Sequence, residues 1–365
     1  MRRIAIIILY NPKGIIEDYV FFYLAKLQEI CRKVVVVVNG QCQQVYIQRM
    51  QLLKYEIILR SNIGYDGGAY QDIFLKYRYK LKLDTYDEVV LSNDTFYGPF
   101  NKMSDMWNKF ENINCDYWGI TRHPGGIGAD KQVYPEHIQA YFLVLKKRII
   151  TQDHFIGFWE KFQCPRSYWE AVRNFEIGIN NYLREQRYIG KALMDLAEDK
   201  LPIKFNDNPY IVYSYELVVD MKFPFLKKKA LDLRNVFFKK NWKCIEYLDK
   251  SQLYNVDLIK QDIKNTLFDI EAIQKFMKMY TRVYIYGKGI VGQNVDYLLK
   301  ENKCHCDGFL TTYKVSEESD INSIDEVKMS DDMGVILAMN AEHTKEVIEV
   351  LRDKNIKDSQ MFCIY

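Results

Sequence analysis

A turn that carries a carboxylate follows a short apolar stretch in the first third of the chain. Asn93 and Asp94 follow the apolar run at 89–91 after one intervening residue, Ser92, and Gly98-Pro99 then turns the chain away. Such a run is typical of a strand that is buried on both faces. Because open α/β sheets bind ligands at the carboxyl ends of their strands, Asp94 is placed to hold a divalent cation that bridges a diphosphate. The alternative is a turn aspartate that caps the next helix.

A second candidate binding segment is rich in glycine. It runs from Asn62 to Gly68, after a strand predicted at 55–59 and before a helix predicted to begin at Ala69. Glycine lets the backbone approach a ligand closely, and the N-terminus of a helix favours anions. The segment therefore predicts an anion-binding loop, with an ordinary glycine-rich turn as the alternative.

Predicted strands and helices alternate around both segments. Apolar runs predict strands at 4–10 and 34–38, and the spacing of apolar residues predicts helices at 19–32 and 45–53. The segments predicted beyond residue 100 are strands at 115–120 and 137–146, a mobile glycine-rich loop at 123–131, and helices at 155–162 and 173–187. This alternation predicts an α/β fold, in which helices cover both faces of a mostly parallel sheet.

A separate α/β unit is predicted to begin at Arg282. A strand leads into Gly287-x-Gly289-x-x-Gly292 and then into a helix, which is the context of a dinucleotide-binding loop. Asp307 lies nearer to this glycine loop in sequence than the usual ribose-binding acid, which follows such a loop by about 20 residues. We therefore expect a small Rossmann-like module without an NAD cofactor. The predicted domain limits are 1–225, then 226–280 for a helical connector, and 281–365.

Composition excludes several classes of protein. The net charge is only +3, which argues against a protein that binds nucleic acid. The eight cysteines are scattered, which is typical of free thiols in a reducing cytosol rather than of a zinc site. The apolar run after Arg2-Arg3 is too short for a signal peptide, and no run has the length of a membrane span. These features predict a cytoplasmic globular protein.

Four motifs in this order resemble the rhamnan synthesis protein F family. They lie at 60–70, 91–99, 137–142 and 223–227, and the resemblance covers roughly residues 1–230. Members of this family are bacterial glycosyltransferases of cell-wall and capsular polysaccharide assembly. The resemblance implies a GT-A-like nucleotide-sugar transferase domain, with an activated sugar such as dTDP-rhamnose as donor.

The resemblance also implies a donor-binding site. The residues implied to line it are Asn39, Arg60, Asn62, Gly64, Asp66, Gly67, Gly68, Asn93 and Asp94. Asp66 is implied to contact ribose or sugar hydroxyl groups, and Asp94 to bind the metal and the diphosphate. Related transferases usually carry Asp-x-Asp at this place, and Ser92 replaces the first aspartate. With one carboxylate fewer, we expect a weak Mg²⁺ or Mn²⁺ site.

Glu176 is the predicted catalytic base. Aligned on Leu183 and Tyr188, it takes the place of the catalytic aspartate that begins a helix in inverting GT-A transferases, although Arg187 replaces a glycine. A carboxylate there accepts the proton of the acceptor hydroxyl while that oxygen attacks the anomeric carbon, and the configuration is inverted. The alternative is a glutamate that stabilises the helix dipole.

Polar residues of a predicted strand complete the site. His137, Gln139 and Tyr141 share one face of that strand by period-two alternation, and we expect them to contact the sugar or the acceptor. His123 is assigned to a loop that closes over the donor. The alternative is a set of hydrogen-bonded polar residues at a sheet edge.

Basic and aromatic residues are interleaved at 223–243. That composition suits the surface of a membrane that carries a lipid-linked glycan as acceptor, so we expect peripheral attachment at the inner face of the cell membrane. An aromatic helix with solvated lysines is an equal alternative, whereas single-stranded nucleic acid is disfavoured by the low net charge. Two other functions remain open, namely a nucleotide-sugar-binding scaffold or regulator without catalysis and an NAD-dependent oxidoreductase.

Overall fold

The computed structural model describes residues 1–127, 131–195, 208–313, 321–328 and 330–364. The chain forms two compact units, of which the first comprises Met1–Lys228 with Ser251–Tyr254 and the second comprises Lys229–Lys250 with Asn255–Tyr365. Most of the helical segment predicted as a connector thus belongs to the second unit, and the predicted domain limits remain a prediction. Residues 128–130 of the predicted mobile loop lie outside the described residues.

The strands of the first unit are β1 Arg3–Leu9, β2 Lys33–Asn39, β3 Glu56–Arg60, β4 Glu88–Asn93, β5 Phe96–Tyr97, β6 Tyr117–His123, β7 Gly126–Ile127, β8 Val133–Tyr134, β9 His137–Ile138, β10 Phe142–Lys146, β11 Gly190–Asp195 and β12 Leu226–Lys227. Eight of them form one sheet with the order β11-β6-β10-β4-β1-β2-β3, and β9 pairs with β6. Two short pairs, β5 with β12 and β7 with β8, stand apart from it.

The helices of the first unit are α1 Asp18–Gln28, α2 Gln44–Leu52, α3 Tyr65–Asp72, α4 Arg78–Leu81, α5 Met103–Glu111, α6 Lys147–Ile150, α7 Asp153–Lys161, α8 Tyr168–Ala171, α9 Gly178–Glu185 and α10 Pro209–Val212. Shorter helical turns lie at Ile73–Tyr77, Val172–Ile177 and Glu216–Asp220, which are π-helical, and at Leu83–Thr85, which is 3₁₀.

The central strands are apolar throughout because helices cover both faces of the sheet. Ile6 and Ile7 point to opposite faces of β1, and both are fully buried. Ile6 belongs to a core cluster with Tyr70, Phe74 and Trp159, which come from α3, the π turn after it and α7. All neighbouring strands of the sheet are parallel, except that β10 pairs antiparallel with β4 and β6, and β9 pairs antiparallel with β6. The prediction of an α/β fold with a mostly parallel sheet and helices on both faces is confirmed.

The single strand predicted at 137–146 is two strands. Both β9 and β10 pair antiparallel with β6, but in different registers. His137 lies opposite His123, whereas Leu143 lies opposite Gly119, so the chain bulges between the two strands. His137, Gln139 and Tyr141 are therefore not residues of one regular strand, and the argument from period-two alternation is wrong.

Two helices begin earlier than predicted. The helix expected from Ala69 begins at Tyr65, because Gly64 adopts a left-handed φ of +79° that directs the chain into the helix. Asp66 therefore lies in the first helical turn rather than in a loop. The helix expected at 173–187 is part of a helical stretch from α8 through a π turn to α9. Glu176 lies within that π turn, so it neither begins the helix nor acts on its N-terminal dipole.

The second unit contains a smaller parallel sheet. Its strands are β13 Arg282–Tyr286, β14 Gly308–Thr311, β15 Ile321–Ser323, β16 Met333–Leu337 and β17 Met361–Cys363, in the order β15-β14-β13-β16-β17. Its helices are α11 Phe238–Ser251, α12 Asp257–Thr266, α13 Ile270–Met277, α14 Ile290–Glu301 and α15 Ala341–Asp353. All of its strand pairs are parallel, which confirms the predicted Rossmann-like α/β module.

Asp307 is placed away from the glycine loop of this unit. Its carboxylate accepts a hydrogen bond of 2.7 Å from the backbone N–H of Val283, near the beginning of β13. The loop that starts at Gly287 follows the opposite end of the same strand. Asp307 therefore cannot act as the acid that binds a ribose beside that loop.

Gly292 permits α14 to pack directly on this loop. A Cβ at residue 292 would lie 1.9 Å from the carbonyl oxygen of Gly287, whereas a Cβ at Gly289 would meet no atom within 4 Å. We expect Gly292→Ala to lower the free energy of unfolding by about 1–3 kcal/mol, as overpacking does. The control Gly289→Ala should change it by less than about 1 kcal/mol. Thermal unfolding of both variants measures this, and equal stability of the two would contradict the packing argument.

The aromatic residues of the stretch at 223–243 are largely internal. Phe223, Phe225 and Phe238 are buried, whereas Lys239 and Lys240 are exposed. These three rings cannot reach a membrane surface, so they do not make the aromatic contact with a membrane that we expected. The stretch fits the alternative of packed aromatic residues with solvated lysines. Within the described part of the chain, no helix is both long and apolar enough to span a membrane.

Candidate active site

The sheet brings polar residues together at one edge. Strands β2, β3, β4 and β6 run in the same direction, and the last residues of these strands are Asn39, Arg60, Asn93 and His123. His137 lies opposite His123 in the antiparallel register and therefore lies at the same edge. This is the edge at which open α/β sheets bind ligands.

Asp66 and Asn93 form the first contact of the candidate site. The Asn93 amide donates a hydrogen bond of 2.8 Å to the Asp66 carboxylate, and its own oxygen accepts one of 2.8 Å from the Thr95 hydroxyl. Burial raises the pKa of Asp66, and the nearby carboxylate of Glu176 acts in the same direction, while the hydrogen bond from Asn93 opposes the shift. Two carboxylates from distant parts of the sequence thus lie close together.

Ser92 is enclosed within the protein. Its hydroxyl lies 2.7 Å from the Tyr23 hydroxyl and 2.9 Å from the carbonyl oxygen of Tyr141, and the residue is fully buried. The place at which a first metal-binding carboxylate was expected is therefore filled by a neutral hydroxyl. Asp94 is partly buried, and its carbonyl oxygen accepts a hydrogen bond of 2.7 Å from the Tyr19 hydroxyl.

Glu176 is held by two hydrogen-bond donors. One carboxylate oxygen lies 3.0 Å from His137 Nε2, and the other accepts a bond of 2.9 Å from the Ala140 backbone N–H. The side chain of Glu176 remains 22% exposed, so it is still accessible from solvent. Each carboxylate oxygen has two lone pairs, and one on each is left to accept another proton donor.

His137 and Glu176 form an ion pair. The second ring nitrogen of His137, Nδ1, lies 2.8 Å from the carbonyl oxygen of Pro135, which can only accept. With an acceptor at each nitrogen, the ring is held in its doubly protonated form. Burial opposes that charge, but the hydrogen bond and charge of Glu176 outweigh it and raise the pKa of His137. Burial likewise opposes ionisation of Glu176, and His137 with the Ala140 N–H nonetheless lowers its pKa.

His123 is neutral beside this pair. Its ring stacks on His137 with 5.1 Å between centroids, and its Nδ1 accepts a hydrogen bond of 3.0 Å from the Gly125 N–H. Burial and then the charge of His137 lower the pKa of His123 to about 4. A neutral ring with the proton on Nε2 can donate one hydrogen bond at this edge.

The ion pair predicts a pH-dependent stability. The raised pKa of His137 means that its contribution is complete below the unfolded value of about 6.5 and is lost as the pH rises through the folded value. The lowered pKa of Glu176 means that its contribution is present above about pH 4.3 and is lost as the pH falls through the folded value. We therefore expect the difference in melting temperature between the native protein and His137→Gln to be larger near pH 6 than near pH 9.

Thermal unfolding at both pH values measures this difference. His154→Gln, which changes an exposed histidine of the same unit, is the control and should give a difference that does not grow at the lower pH. An equal difference for His137→Gln at both pH values would contradict the ion pair.

Tyr141 and Gln139 meet Thr121 inside the protein. The Thr121 hydroxyl hydrogen-bonds with Gln139 Oε1 at 2.9 Å and with the Tyr141 hydroxyl at 3.0 Å, and all three residues are buried. Burial raises the pKa of Tyr141 far above its ordinary value, so the phenol stays protonated. The outer face of the Tyr141 ring carries the Lys227 ammonium, 3.0 Å from the ring centroid.

Arg60 and Asn39 support the glycine-rich segment. The Arg60 guanidinium donates to Asp72 at 2.8 Å, to Asn39 Oδ1 at 2.6 Å and to the carbonyl oxygen of Ile63 at 2.9 Å. Asn39 in turn donates to the carbonyl oxygen of Tyr65 at 3.3 Å. These contacts fix the entry into α3 and so position Asp66.

The glycines of this segment pack against protein atoms. A Cβ at Gly67 would lie 2.6 Å from the Phe162 ring, and one at Gly68 would lie 2.4 Å from the carbonyl oxygen of Ile63. Gly64 supplies the left-handed turn before the helix, and Asn62 is exposed beside Gly40. In the described structure, the glycines thus serve the close approach of α3 to its neighbours.

The residues present are compatible with a cation shared with a ligand. Among the described residues, no group of three or more His, Cys, Asp or Glu side chains could hold a metal ion by itself. Mg²⁺ is usually bound by one or two carboxylates together with substrate phosphates and water. Asp94, which follows Asn93 at the end of β4, offers one carboxylate at this edge, and that would fit a cation that arrives with its ligand.

Three residues of the site were not predicted from sequence. Thr121 and Lys227 contact Tyr141, and the buried Asn180 side chain bonds both the N–H and the carbonyl oxygen of Ile138 at 2.9 and 2.8 Å. Asn180 follows Glu176 by four residues, and this spacing places both on one face of a helix. The spacing could therefore have indicated Asn180 from the sequence. Lys227 ends the fourth motif, whereas nothing in the sequence distinguishes Thr121.

The chain belongs to the rhamnan synthesis protein F family, whose model matches residues 34–364. The uncharacterised protein y4gN of Sinorhizobium fredii is 27% identical over 177 residues, which are 48% of this chain and 44% of that protein. The chain therefore spans less than half the length of that relative.

Three solved structures resemble the fold at low similarity. A Desulfovibrio desulfuricans G20 protein named for nucleotide-diphospho-sugar transfer is 13% identical, with a TM-score of 0.32 over 70% of this chain and 97% of that chain. Core-mannan synthase A of Aspergillus fumigatus, in its Mn/GDP form, is 8% identical, with a TM-score of 0.29 over 43% and 63%. Glucosyl-3-phosphoglycerate synthase of Mycobacterium tuberculosis, with Mn²⁺, UDP-glucose and phosphoglyceric acid, is 12% identical, with a TM-score of 0.27 over 40% and 58%.

Proposed function

We propose that this protein is an inverting glycosyltransferase. It moves a sugar from a nucleoside-diphosphate donor to a growing cell-wall or capsular polysaccharide, and L-rhamnose from dTDP-rhamnose is the first donor to test. The observation that carries the proposal is the single polar cluster that joins Asp66, Asn93, Glu176 and His137 at the carboxyl edge of the sheet. Family membership supports the same class of reaction.

The reaction needs one base and a stabilised leaving group. The acceptor hydroxyl oxygen attacks the anomeric carbon while its proton passes to Glu176, which the contact with His137 keeps ionised. The bond from the anomeric carbon to the diphosphate oxygen breaks, and its electron pair leaves with the nucleoside diphosphate. A divalent cation at Asp94, when bound, supplies positive charge to that leaving group.

The remaining donor contacts follow from the same cluster. Asp66 is proposed to accept hydrogen bonds from ribose or sugar hydroxyls, and Asn93 holds its carboxylate in place. Neutral His123 donates from Nε2 to a sugar or diphosphate oxygen. Gln139 and Tyr141, which are engaged with Thr121, shape the wall of the site through their positions.

The proposed acceptor is a lipid-linked glycan that the protein meets at the inner face of the cell membrane. Because Phe223, Phe225 and Phe238 are buried, we assign this contact to charge. Lys239 and Lys240 are exposed and would face anionic lipid head groups.

Ligand-dependent stability followed by turnover tests the proposal. A bound donor raises the free energy of unfolding by mass action, by about 2.7 kcal/mol at a concentration 100 times the Kd. We expect dTDP-sugars or UDP-sugars to raise the melting temperature, with a further rise in Mn²⁺, and to release nucleoside diphosphate when a glycan acceptor is present. No shift with any nucleotide sugar would overturn the proposal.

A scaffold that binds nucleotide sugars without catalysis is the second candidate. The neutral, enclosed Ser92 favours it, because the site has one carboxylate fewer for a cation than the Asp-x-Asp pattern supplies. Donor binding without any release of nucleoside diphosphate, across lipid-linked and soluble acceptors, would favour the scaffold.

A further inference from the structure

Lys227 is brought into the candidate site by a short strand pair. It lies on β12, where it pairs opposite Phe96 of β5, which begins two residues after Asp94. The flanking Phe225 and Leu226 are buried, and the N–H of Lys228 donates to the carbonyl oxygen of Thr95 at 3.1 Å. More than a hundred residues of chain separate the two strands, yet the pairing fixes Lys227 beside the end of β4.

The Lys227 ammonium lies near the polar groups of the candidate site. It lies 3.0 Å from the centroid of the Tyr141 ring and is partly buried. Burial raises the pKa of Asp66, and the charge of Lys227 acts against that shift. The same charge adds to the lowering of the pKa of Glu176. Asp66, Glu176 and Tyr141 are thus among the titratable groups near the ammonium.

A diphosphate leaving group is stabilised by positive charge. Ser92 stands where a second metal-binding carboxylate is usual, and it is enclosed by Tyr23 and by the backbone of Tyr141. A cation held by Asp94 therefore has fewer protein ligands. A lysine ammonium is a compact charge with three donors that binds phosphate without a metal.

Resting on the proposed transferase activity, we propose that Lys227 binds the donor diphosphate and stabilises it as the leaving group. When the anomeric carbon–oxygen bond breaks, the electron pair remains on the diphosphate oxygen, and Lys227 donates a hydrogen bond to the diphosphate without giving up its proton. The aromatic ring of Tyr141 holds the ammonium in position before the donor arrives. Lys227 would thereby make binding and turnover only partly dependent on the divalent cation.

Binding measurements on Lys227→Met test this assignment. Methionine keeps the long apolar stem against Tyr141 and removes the charge. We expect the Kd for UDP or dTDP, measured by calorimetry in the full chain, to rise about 10- to 100-fold, as loss of a hydrogen bond to a charged group does. Binding of the free nucleoside, followed by ligand-observed NMR, should stay unchanged. Lys227→Arg should keep most of the diphosphate affinity, and Lys229→Met, two residues further on and exposed, is the matched control.

The possible outcomes separate this assignment from the proposed function. If the native protein binds diphosphates and Lys227→Met binds them equally well, the assignment of Lys227 is wrong and the transferase proposal stands. If Lys227→Met loses the nucleoside and the diphosphate to the same extent, or if Lys227→Arg is as weak as Lys227→Met, the residue is structural and the assignment is again wrong. If the native protein binds no nucleoside diphosphate or nucleotide sugar, the transferase proposal fails, and the assignment fails with it.

Discussion

Replacing Glu176 with glutamine is expected to lower turnover by about 10²- to 10⁴-fold, the contribution typical of a positioned general base. Glutamine keeps the shape of the side chain but has no lone pair basic enough to take the proton of the acceptor hydroxyl. Donor affinity should change much less, because the diphosphate is assigned to Asp94 and Lys227. Release of nucleoside diphosphate in the presence of acceptor, compared with the Kd of the donor, measures the two effects separately.

The same substitution also disturbs the support of the side chain. The two Glu176 oxygens accept from His137 and from the Ala140 N–H, and an amide has only one oxygen to offer. We therefore expect a loss of about 1–3 kcal/mol of stability, measured by thermal unfolding, and the assay temperature should stay below the new transition. Glu185→Gln, on the exposed end of α9, makes the same chemical change and should leave turnover unaffected.

Full turnover by a folded Glu176→Gln protein would remove the base assignment. The ion pair with His137 would then be interpreted as structural, joining the helical stretch to β9. A loss of turnover accompanied by an equal loss of donor binding would likewise contradict the assignment, because a base acts on the acceptor in the transition state.

The second large effect is expected from Asp94→Asn. If Asp94 holds the cation against the diphosphate, this variant should raise the Kd for dTDP or UDP in Mn²⁺ by about 10- to 100-fold, as expected when a charged contact is lost. It should also abolish any increase in affinity that Mn²⁺ gives to the native protein. Calorimetric titration with and without Mn²⁺ measures both quantities. Asp105→Asn, on the exposed face of α5, is the matched control.

Two results would refute the role of Asp94. One is loss of activity with unchanged donor binding and unchanged response to Mn²⁺, which would place the effect outside the donor site. The other is a native protein whose donor affinity does not respond to any divalent cation. In that second case Lys227 would bind the diphosphate without a metal ion. The weak metal site that we expect from the replacement of an aspartate by Ser92 would then be absent.

The sequence predicts the strand order in the chain better than the contacts between distant segments. Uninterrupted β-branched runs such as 34–38 predict buried parallel strands, because alternation is not needed when both faces are covered. The helix at Tyr65 was predicted too late, because Gly67 and Gly68 read as loop residues. They belong to a helix since their missing side chains allow it to pack against Phe162 and Ile63.

The sequence by itself determined the fold class and the set of strand ends that form the edge of the candidate site. Strand ends follow from local apolar runs, so Asn39, Asn93 and the residues near them could be placed at one edge without coordinates. Only the tertiary structure decided which side chains meet there. The bulge between β9 and β10, the π turn that carries Glu176 and the β5–β12 pair that carries Lys227 are set by contacts between segments far apart in sequence. Local propensity cannot predict such contacts, because their energy depends on packing that exists only once the sheet is complete.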